Sequence, residues 1–131
     1  MRRAHGFTLI ELLVAVAIVA ILAAIVYPNF PRYFLKNKRI EAIQALYSMQ
    51  LQQEEWRISH PSYASQDEAA HFLPSHPQYE FRVTAASATD YMLEANAKPD
   101  SAQRQDQAGD TPCHTLTLDR NNTKTPAPCW N

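Results

Sequence analysis

The first part of the chain is dominated by one apolar run. Across residues 7–27 only Thr8 and Glu11 are polar, and residues 12–26 carry no polar side chain at all. As an α-helix these 21 residues would extend about 31 Å, which matches a bilayer core of roughly 30 Å. The pattern predicts a membrane-spanning helix, and Glu11 needs an explanation because a carboxylate in hydrocarbon is costly.

A second helical pattern follows the apolar run. A proline within a helix removes one hydrogen bond and bends the axis, so a kink is expected at Pro28. The helix is predicted to end near Ser59, because Pro61 disfavours helical geometry in the residue before it. Its apolar residues at helical spacing form one face that is expected to lie against a sheet. These residues are Tyr33, Ile40, Ile43, Tyr47, Leu51 and Ile58.

The rest of the chain alternates apolar and polar residues in short segments. Strands are predicted in three places, and a short return strand in a fourth: Tyr79–Ala85, Tyr91–Ala95, Thr115–Asp119 and Lys124–Thr125. The polar run Lys98–Asp110 is expected to be a mobile loop. Residues 60–78 are rich in Pro, Ser and His, and a loop with one helical turn near Gln66–His71 is predicted there.

Charge is nearly balanced after the apolar run. All 12 Lys and Arg residues except Arg2 and Arg3, and all 13 Asp and Glu residues except Glu11, follow Pro31. The 10 cations and 12 anions that remain leave a net charge of −2. Any nucleic-acid binding by this part would therefore have to be local. About a hundred residues are enough for one small domain.

Two cysteines, Cys113 and Cys129, lie late in the sequence. Their spacing fits no metal site, and beyond a membrane span such a pair is predicted to form one disulfide bond in an oxidising compartment. Closing the loop contributes roughly 3 kcal/mol in the chain-entropy model. The cations at 32–39 follow the span closely and by themselves favour a cytoplasmic location for the residues after it. The cysteine pair is given more weight, and it places these residues outside the cytoplasm.

No motif for catalysis or cofactor binding is found in the sequence. A nucleophile elbow, a phosphate-binding loop, a dinucleotide fingerprint, zinc spacing and an EF-hand loop are all absent. His60, His71 and His76 fit no metal motif, and solvated loop positions are expected for them. The sequence therefore predicts a non-enzyme without a metal or cofactor.

The N-terminal residues resemble a known family. A basic leader ending in Gly6, then Phe-Thr-Leu-Ile-Glu-Leu, an apolar helix and Pro28 are similar to the N-terminal signature of type IV pilins and related pseudopilins. The resemblance implies that a prepilin peptidase cleaves between Gly6 and Phe7 and methylates the new N-terminus at Phe7. It also implies that Glu11 meets the N-terminal amine of a neighbouring subunit, which would neutralise the carboxylate.

The second half narrows the resemblance to minor pilins of the PilE and ComP kind. Its motifs are Tyr-x-Leu-x-Ala, then Asp-x-x-Cys-x-x-Leu-Thr-Leu-Asp, and a final Cys-Trp. They are carried by Tyr91, Leu93, Ala95, Asp110, Cys113, Leu116, Thr117, Leu118, Asp119, Cys129 and Trp130. His114, where a Gly is common, and Asn121-Asn122, in place of a Gly-containing turn, depart from the usual pattern.

The resemblance implies an α+β type IV pilin fold. In it a long kinked N-terminal helix packs on a small antiparallel sheet with a C-terminal disulfide-bounded loop. Residues 1–6 are expected to be the leader, residues 7–30 the membrane and filament-core helix, and residues 31–131 the globular head. Three apolar residues off the predicted helix face either contact other subunits in a fibre or lie under a loop of the same chain: Leu46, Met49 and Trp56.

The resemblance implies a pilus subunit, predicted to be a minor one, that serves adhesion, twitching motility or DNA uptake. Its partners would be other pilins, the prepilin peptidase and the inner-membrane assembly platform. Before assembly the N-terminus would be cytoplasmic and the head periplasmic, and the subunit would then move into the cell-surface pilus.

An alternative is a competence pilin that receives double-stranded DNA. Arg and Lys can contact phosphates and Asn can contact an adenine edge, so four residues of the disulfide-bounded loop are candidates. They are Arg120, Asn121, Asn122 and Lys124. A solvated hairpin turn is the competing interpretation of the same residues. A pseudopilin of a type II secretion system is a third and less favoured function.

Overall fold

The computed structural model describes residues 3–131 and contains two long helices. Helix α1 spans Leu9–Val26, a 3-10 turn follows at Tyr27–Asn29, and helix α2 spans Phe30–Ser59. Every residue of α1 is exposed, and the helix is long and apolar enough to cross a membrane. Pro28 lies in the 3-10 turn between the two helices, and the bend expected there stays a prediction. The chain divides into two units, one ending at Phe34 and the other spanning Leu35–Asn131.

The second unit contains six strands in two sheets. The strands are β1 at Tyr79–Ala86, β2 at Tyr91–Ala97, β3 at Gln107–Ala108, β4 at Thr111–Pro112, β5 at Thr115–Asp119 and β6 at Lys124–Thr125. Strands β1, β2, β5 and β6 form an antiparallel sheet in that order, and β3 pairs with β4 separately. The predicted strands are therefore confirmed, with β1 and β2 slightly longer than expected. Alternate residues of β2 point into the core, as the period of two requires.

The face of α2 that packs in the core is different from the predicted one. The buried residues of the helix are Arg39, Ala42, Leu46, Met49 and Gln53. On the predicted face, Leu51 is 68% exposed and Ile58 is 86% exposed. At 3.6 residues per turn the two faces lie about 130° apart. The prediction was wrong because a hydrophobicity pattern assigns polar residues such as Arg39 and Gln53 to the surface. In the structure both are buried, and each is hydrogen-bonded to a polar group of the head.

Gln53 holds the loop after α2 against the helix. Its side-chain amide donates to the Ala64 carbonyl at 2.9 Å and accepts the Ala64 N–H at 2.8 Å, so the buried amide satisfies one donor and one acceptor of the backbone. The same loop covers Trp56, where the His60 ring stacks on the indole at 3.7 Å between ring centres. A loop of the same chain therefore covers Trp56, while Leu46 and Met49 lie in the core.

The loop histidines differ from each other in the structure. His71 is exposed, as expected, but the stacked His60 is not simply solvated. The Nε2–H of His76 donates to the Glu41 carboxylate at 2.7 Å, and this bond holds the pKa of Glu41 below its usual value. The expectation of solvated positions is thus wrong for His60 and His76, because neighbouring aromatic and carboxylate groups of α2 bind them.

The polar run 98–110 is not a mobile loop. It contains a 3-10 turn at Ala102–Gln105, and the Gln103 side chain there donates to the Tyr79 hydroxyl at 2.8 Å. Asp106 is buried and accepts from Arg39 at 2.8 Å, which ties the run to α2. Burial raises the pKa of Asp106, although Arg39 acts in the opposite direction. Burial likewise raises the pKa of Tyr79 to about 12.

The Arg39–Asp106 pair gives a test of this anchoring. We expect Asp106→Ala to lower the free energy of unfolding by roughly 3–5 kcal/mol, because it leaves the buried guanidinium without a counter-charge. Replacing both residues, Arg39→Met with Asp106→Leu, is expected to recover most of that loss. Denaturant unfolding can be followed through tryptophan fluorescence, since both tryptophans, Trp56 and Trp130, lie in this unit.

Arg82→Ala is the matched control for that experiment. It breaks the exposed Glu80–Arg82 pair, and a loss below about 1 kcal/mol is expected. An Asp106→Ala protein as stable as this control would contradict the anchoring role of the buried pair.

Candidate nucleic-acid interface

The predicted disulfide bond is present between Cys113 and Cys129, and both cysteines are fully buried. Cys113 lies just before β5, and Cys129 lies in a 3-10 turn at Ala127–Trp130. The segment between them contains β5, a tight turn and β6, and β5 pairs with β2 in the main sheet. Both ends of the disulfide-bounded segment are therefore fixed to the core.

The tight turn between β5 and β6 depends on Asn122. This residue has φ 67°, in the left-handed region that asparagine tolerates better than most residues. The Asp119 carbonyl accepts the Asn122 N–H at 3.1 Å, and the Asp119 carboxylate accepts the Thr123 N–H at 2.8 Å. The asparagine pair thus makes the turn that a glycine makes in the usual pattern. Arg120 and Asn121 are exposed on it.

The two asparagine side chains are not equally available. The Asn122 amide oxygen accepts from Gln50 on α2 at 3.5 Å, so this side chain is turned toward the helix. Within residues 3–131 the Asn121 amide makes no hydrogen bond, and its donors and acceptor are open to solvent. Of the two, Asn121 is the better placed to contact a base edge.

Lys124 lies between two aromatic rings. Its ammonium nitrogen is 5.4 Å from the ring centre of Tyr47 and 5.9 Å from that of Trp130, within the range of a cation–π interaction. The Trp130 indole N–H donates to the Thr125 carbonyl at 3.2 Å, and its ring meets Tyr47 edge-on. Lys124 is thus half-buried and is held between Tyr47 of α2 and Trp130, the residue that follows Cys129.

Arg120 is held by a different part of the head. Its guanidinium donates to the Thr89 carbonyl in the β1–β2 turn at 2.8 Å and lies 5.8 Å from the ring centre of Tyr63. The preceding carbonyl, that of Ala88, accepts from Arg57 at 3.2 Å, and Arg57 lies 5.9 Å from the same ring. Sequence reasoning missed Arg57, because only the folded chain brings the end of α2 to the β1–β2 turn.

The nearby carboxylates are engaged with other groups. Glu54 accepts from the hydroxyls of Tyr63 and Tyr91 at 3.3 and 3.4 Å. Burial and, to a smaller extent, the Glu54 charge raise the pKa of Tyr91. The ion pairs within residues 3–131 are Lys38–Glu41, Arg39–Asp106, His76–Glu41 and Arg82–Glu80. Arg57, Arg120 and Lys124 belong to none of these pairs and keep their positive charges uncompensated by direct contact.

The other predicted residues lie in the N-terminal unit. Phe7 is 88% exposed, and Gly6 precedes it in a segment before α1 that is neither helix nor strand. The N–H of Glu11 donates to the Thr8 hydroxyl at 3.3 Å, so Thr8 caps the helix and Glu11 lies in its first turn. Within residues 3–131 there is no group of three or more His, Cys, Asp or Glu side chains that could hold a metal ion.

A membrane-length apolar helix, a second helix packed on an antiparallel sheet and a disulfide-bounded C-terminal segment are the architecture of a type IV pilin. Residues 28–117 match the family model of the type IV minor pilin ComP, DNA uptake sequence receptor, and residues 1–27 match that of the prokaryotic N-terminal methylation motif. The chain belongs to this ComP family of type IV pilins.

Curated relatives of the chain are also type IV pilins. The chain is 37% identical over 86 residues to the type IV major pilin protein PilA of Myxococcus xanthus, a match that covers 65% of this chain and 39% of PilA. It is 38% identical over 96 residues to the type IV wide pilus major component PilA4 of Thermus thermophilus, covering 71% of this chain and 73% of PilA4. The matched part of the chain thus spans less than half the length of the Myxococcus protein.

A solved structure also resembles the fold. A type IV pilin from Shewanella oneidensis superimposes with a TM-score of 0.54 at 25% sequence identity. The match covers 74% of this chain and 98% of the Shewanella protein, so the pilin fold expected from the sequence is confirmed.

Proposed function

We propose that the chain is a minor pilin that is built into a type IV pilus and binds double-stranded DNA there during uptake. The observation that carries the proposal is the match of residues 28–117 to the ComP family, whose description is that of a DNA uptake sequence receptor. The match ends before the β5–β6 turn, so the residues of that turn are proposed from their geometry. This is a structural and binding role and involves no catalysis.

The β5–β6 turn has the chemistry that a local DNA contact requires. Arg120 and Lys124 are cations without a carboxylate partner in the described structure. Arg120 is held by a backbone carbonyl and an aromatic ring, and Lys124 by two aromatic rings. Exposed Asn121 can donate to and accept from an adenine edge in the major groove. Because the head carries a net negative charge, affinity has to come from these few contacts and from base recognition together.

The relatives named above are pilus components, which makes a secretion pseudopilin the less supported alternative. Two of them are major pilins, so a purely structural pilus subunit without DNA binding is the second candidate function. The two candidates differ in one measurable property, the binding of duplex DNA by the wild-type chain.

Replacing Arg120 and Lys124 together tests the DNA-receptor proposal. We expect Arg120→Ala with Lys124→Ala to abolish binding of a fluorescent duplex to the full chain in non-ionic detergent, while the head still unfolds in one cooperative transition at a slightly lower melting temperature, because a hydrogen bond and the cation–π contacts are lost. For wild type the log–log dependence of affinity on salt should have a slope of roughly −2 to −3, because two or three phosphates are contacted.

The matched control is Lys98→Ala with Arg104→Ala. It removes the same two charges from the 98–110 segment, where within residues 3–131 neither side chain makes a hydrogen bond or ion pair. Near wild-type binding by this control shows that position and not total charge matters. Equal losses in both double variants would move the site elsewhere, and no binding by wild type at low salt would leave the structural pilin as the function.

The N-terminal residues support processing of the type IV pilin kind. We infer that a prepilin peptidase cleaves between Gly6 and Phe7 and that Phe7 becomes N-methylated, since residues 1–27 match the methylation motif. The span then anchors the subunit in the inner membrane, with the N-terminus cytoplasmic and the head periplasmic. This orientation is consistent with the disulfide, which needs an oxidising compartment.

Mass spectrometry of subunits from sheared pili tests this processing. The expected N-terminal peptide begins with methylated Phe7, and Gly6→Val should leave the leader attached and the subunit in the membrane. Assembled fibres in which the subunit retains residues 1–6 would contradict the inferred cleavage.

Glu11 is proposed to act in assembly, where the inner-membrane platform adds the subunit to other pilins. Its carboxylate would pair with the N-terminal amine of a neighbour, which lowers the cost of a charge in hydrocarbon. We expect Glu11→Ala to be membrane-inserted with a folded head but several-fold depleted from pili relative to wild type co-expressed in the same cell. Thr8→Ala, which removes the neighbouring helix cap and keeps the carboxylate, is the control. Normal incorporation of Glu11→Ala would refute the pairing.

A further inference from the structure

We propose that Arg57 and Arg120 form a two-arginine phosphate clamp built on the ring of Tyr63. The clamp extends the DNA-binding surface from the β5–β6 turn across the β1–β2 turn to the end of α2. This inference rests on the proposed function, because it names further residues and a geometry for the same DNA contact. It assigns Arg57 a contact with DNA and Tyr63 the role of a positioning residue.

The two guanidinium groups converge although 63 positions separate them in sequence. Their central carbons lie 5.9 and 5.8 Å from the Tyr63 ring centre, so they are no more than about 12 Å apart. Adjacent carbonyls of the β1–β2 turn, Ala88 and Thr89, each accept from one of them. Since successive phosphates of one DNA strand rise by about 3.4 Å along the axis, both groups can reach phosphates of a single strand.

Tyr63 is fixed from three sides, so the arginines rest on a rigid support. The residue is 3% exposed, and its N–H donates to the Ser87 carbonyl at 2.9 Å. Its hydroxyl donates to Glu54 on α2, and its ring meets the Tyr91 ring edge-on at 4.7 Å. Groups that are already held where the phosphates lie lose little freedom on binding.

The guanidinium groups keep donors free for a ligand. Arg57 uses two N–H groups, on the carbonyls of Ala88 and His60, and Arg120 uses one. A guanidinium has five N–H donors, so three and four remain. Within residues 3–131 neither arginine pairs with a carboxylate, whereas Arg39 and Arg82 both do. Free planar donors on an unpaired cation suit the bidentate binding of phosphate.

The experiment measures binding of a fluorescent 12-base-pair duplex to the full chain in non-ionic detergent between about 50 and 200 mM salt. Arg57→Ala and Arg120→Ala should each reduce the magnitude of the log–log salt slope by about 0.9, because one phosphate contact is lost per arginine. Arg104→Ala, an exposed arginine of the 98–110 segment, is the control and should leave the slope unchanged.

Tyr63→Phe and Tyr63→Leu test the positioning role without changing the charge. The phenylalanine variant keeps the ring and should bind almost as wild type, whereas the leucine variant should bind several-fold more weakly. Melting curves check folding, and Arg57→Lys, which keeps the charge and loses the planar fork, should fall between wild type and Arg57→Ala.

Binding by wild type with an unchanged slope in Arg57→Ala would overturn the clamp and leave the proposed function standing. Equal slope losses in Arg57→Ala and Arg104→Ala would also overturn it. Absence of binding by wild type at 50 mM salt, roughly the low end of the range used for such slopes, would overturn the proposed function and the clamp with it.

Discussion

The Cys113–Cys129 bond is the constraint on which the candidate surface depends. It closes a segment with a sequence separation of 16 and contributes roughly 3 kcal/mol in the chain-entropy model, a large share of the 5–15 kcal/mol typical of a domain. Trp130 follows Cys129 directly and holds Lys124 against Tyr47. Without the bond, the edge strand β6 and the C-terminal turn that carries Trp130 would be held to the head only by their hydrogen bonds and ring contacts. The same bond also ties the turn to the core.

Buried polar groups complete the core of the head. Arg39 pairs with Asp106 and Gln53 with the backbone of Ala64, and each contact fastens a polar segment to α2. These pairs cost desolvation, which the raised pKa of Asp106 reflects. The two contacts fix the 98–110 run and the loop after α2 against the helix. Tyr63 lies in the loop after α2. The candidate interface is thus positioned by contacts that lie well away from it.

The sequence was informative where local rules decide the structure. Strand alternation, the cysteine pair and the asparagine turn follow from periodicity, compartment and backbone preference, and the structure confirms each. The sequence was misleading on α2, because this helix has two faces with apolar residues, about 130° apart, that could pack on the sheet. The face that is buried also carries Arg39 and Gln53. Their partners lie 67 and 11 positions away, beyond any local pattern. Arg57 was not predicted as a site residue for the same reason, because only the folded chain brings it and Arg120 to the same tyrosine ring.

The measurement that tests the account most directly is amide hydrogen exchange of the full chain with and without duplex DNA. It reports the location of the contact without any substitution. If the head binds DNA through the surface described, protection should appear at residues 57–63, 87–91 and 119–124, and residues 98–110 should exchange as before. Protection confined to the outer face of β1 and β2 or to 98–110, or no change at saturating DNA, would contradict it.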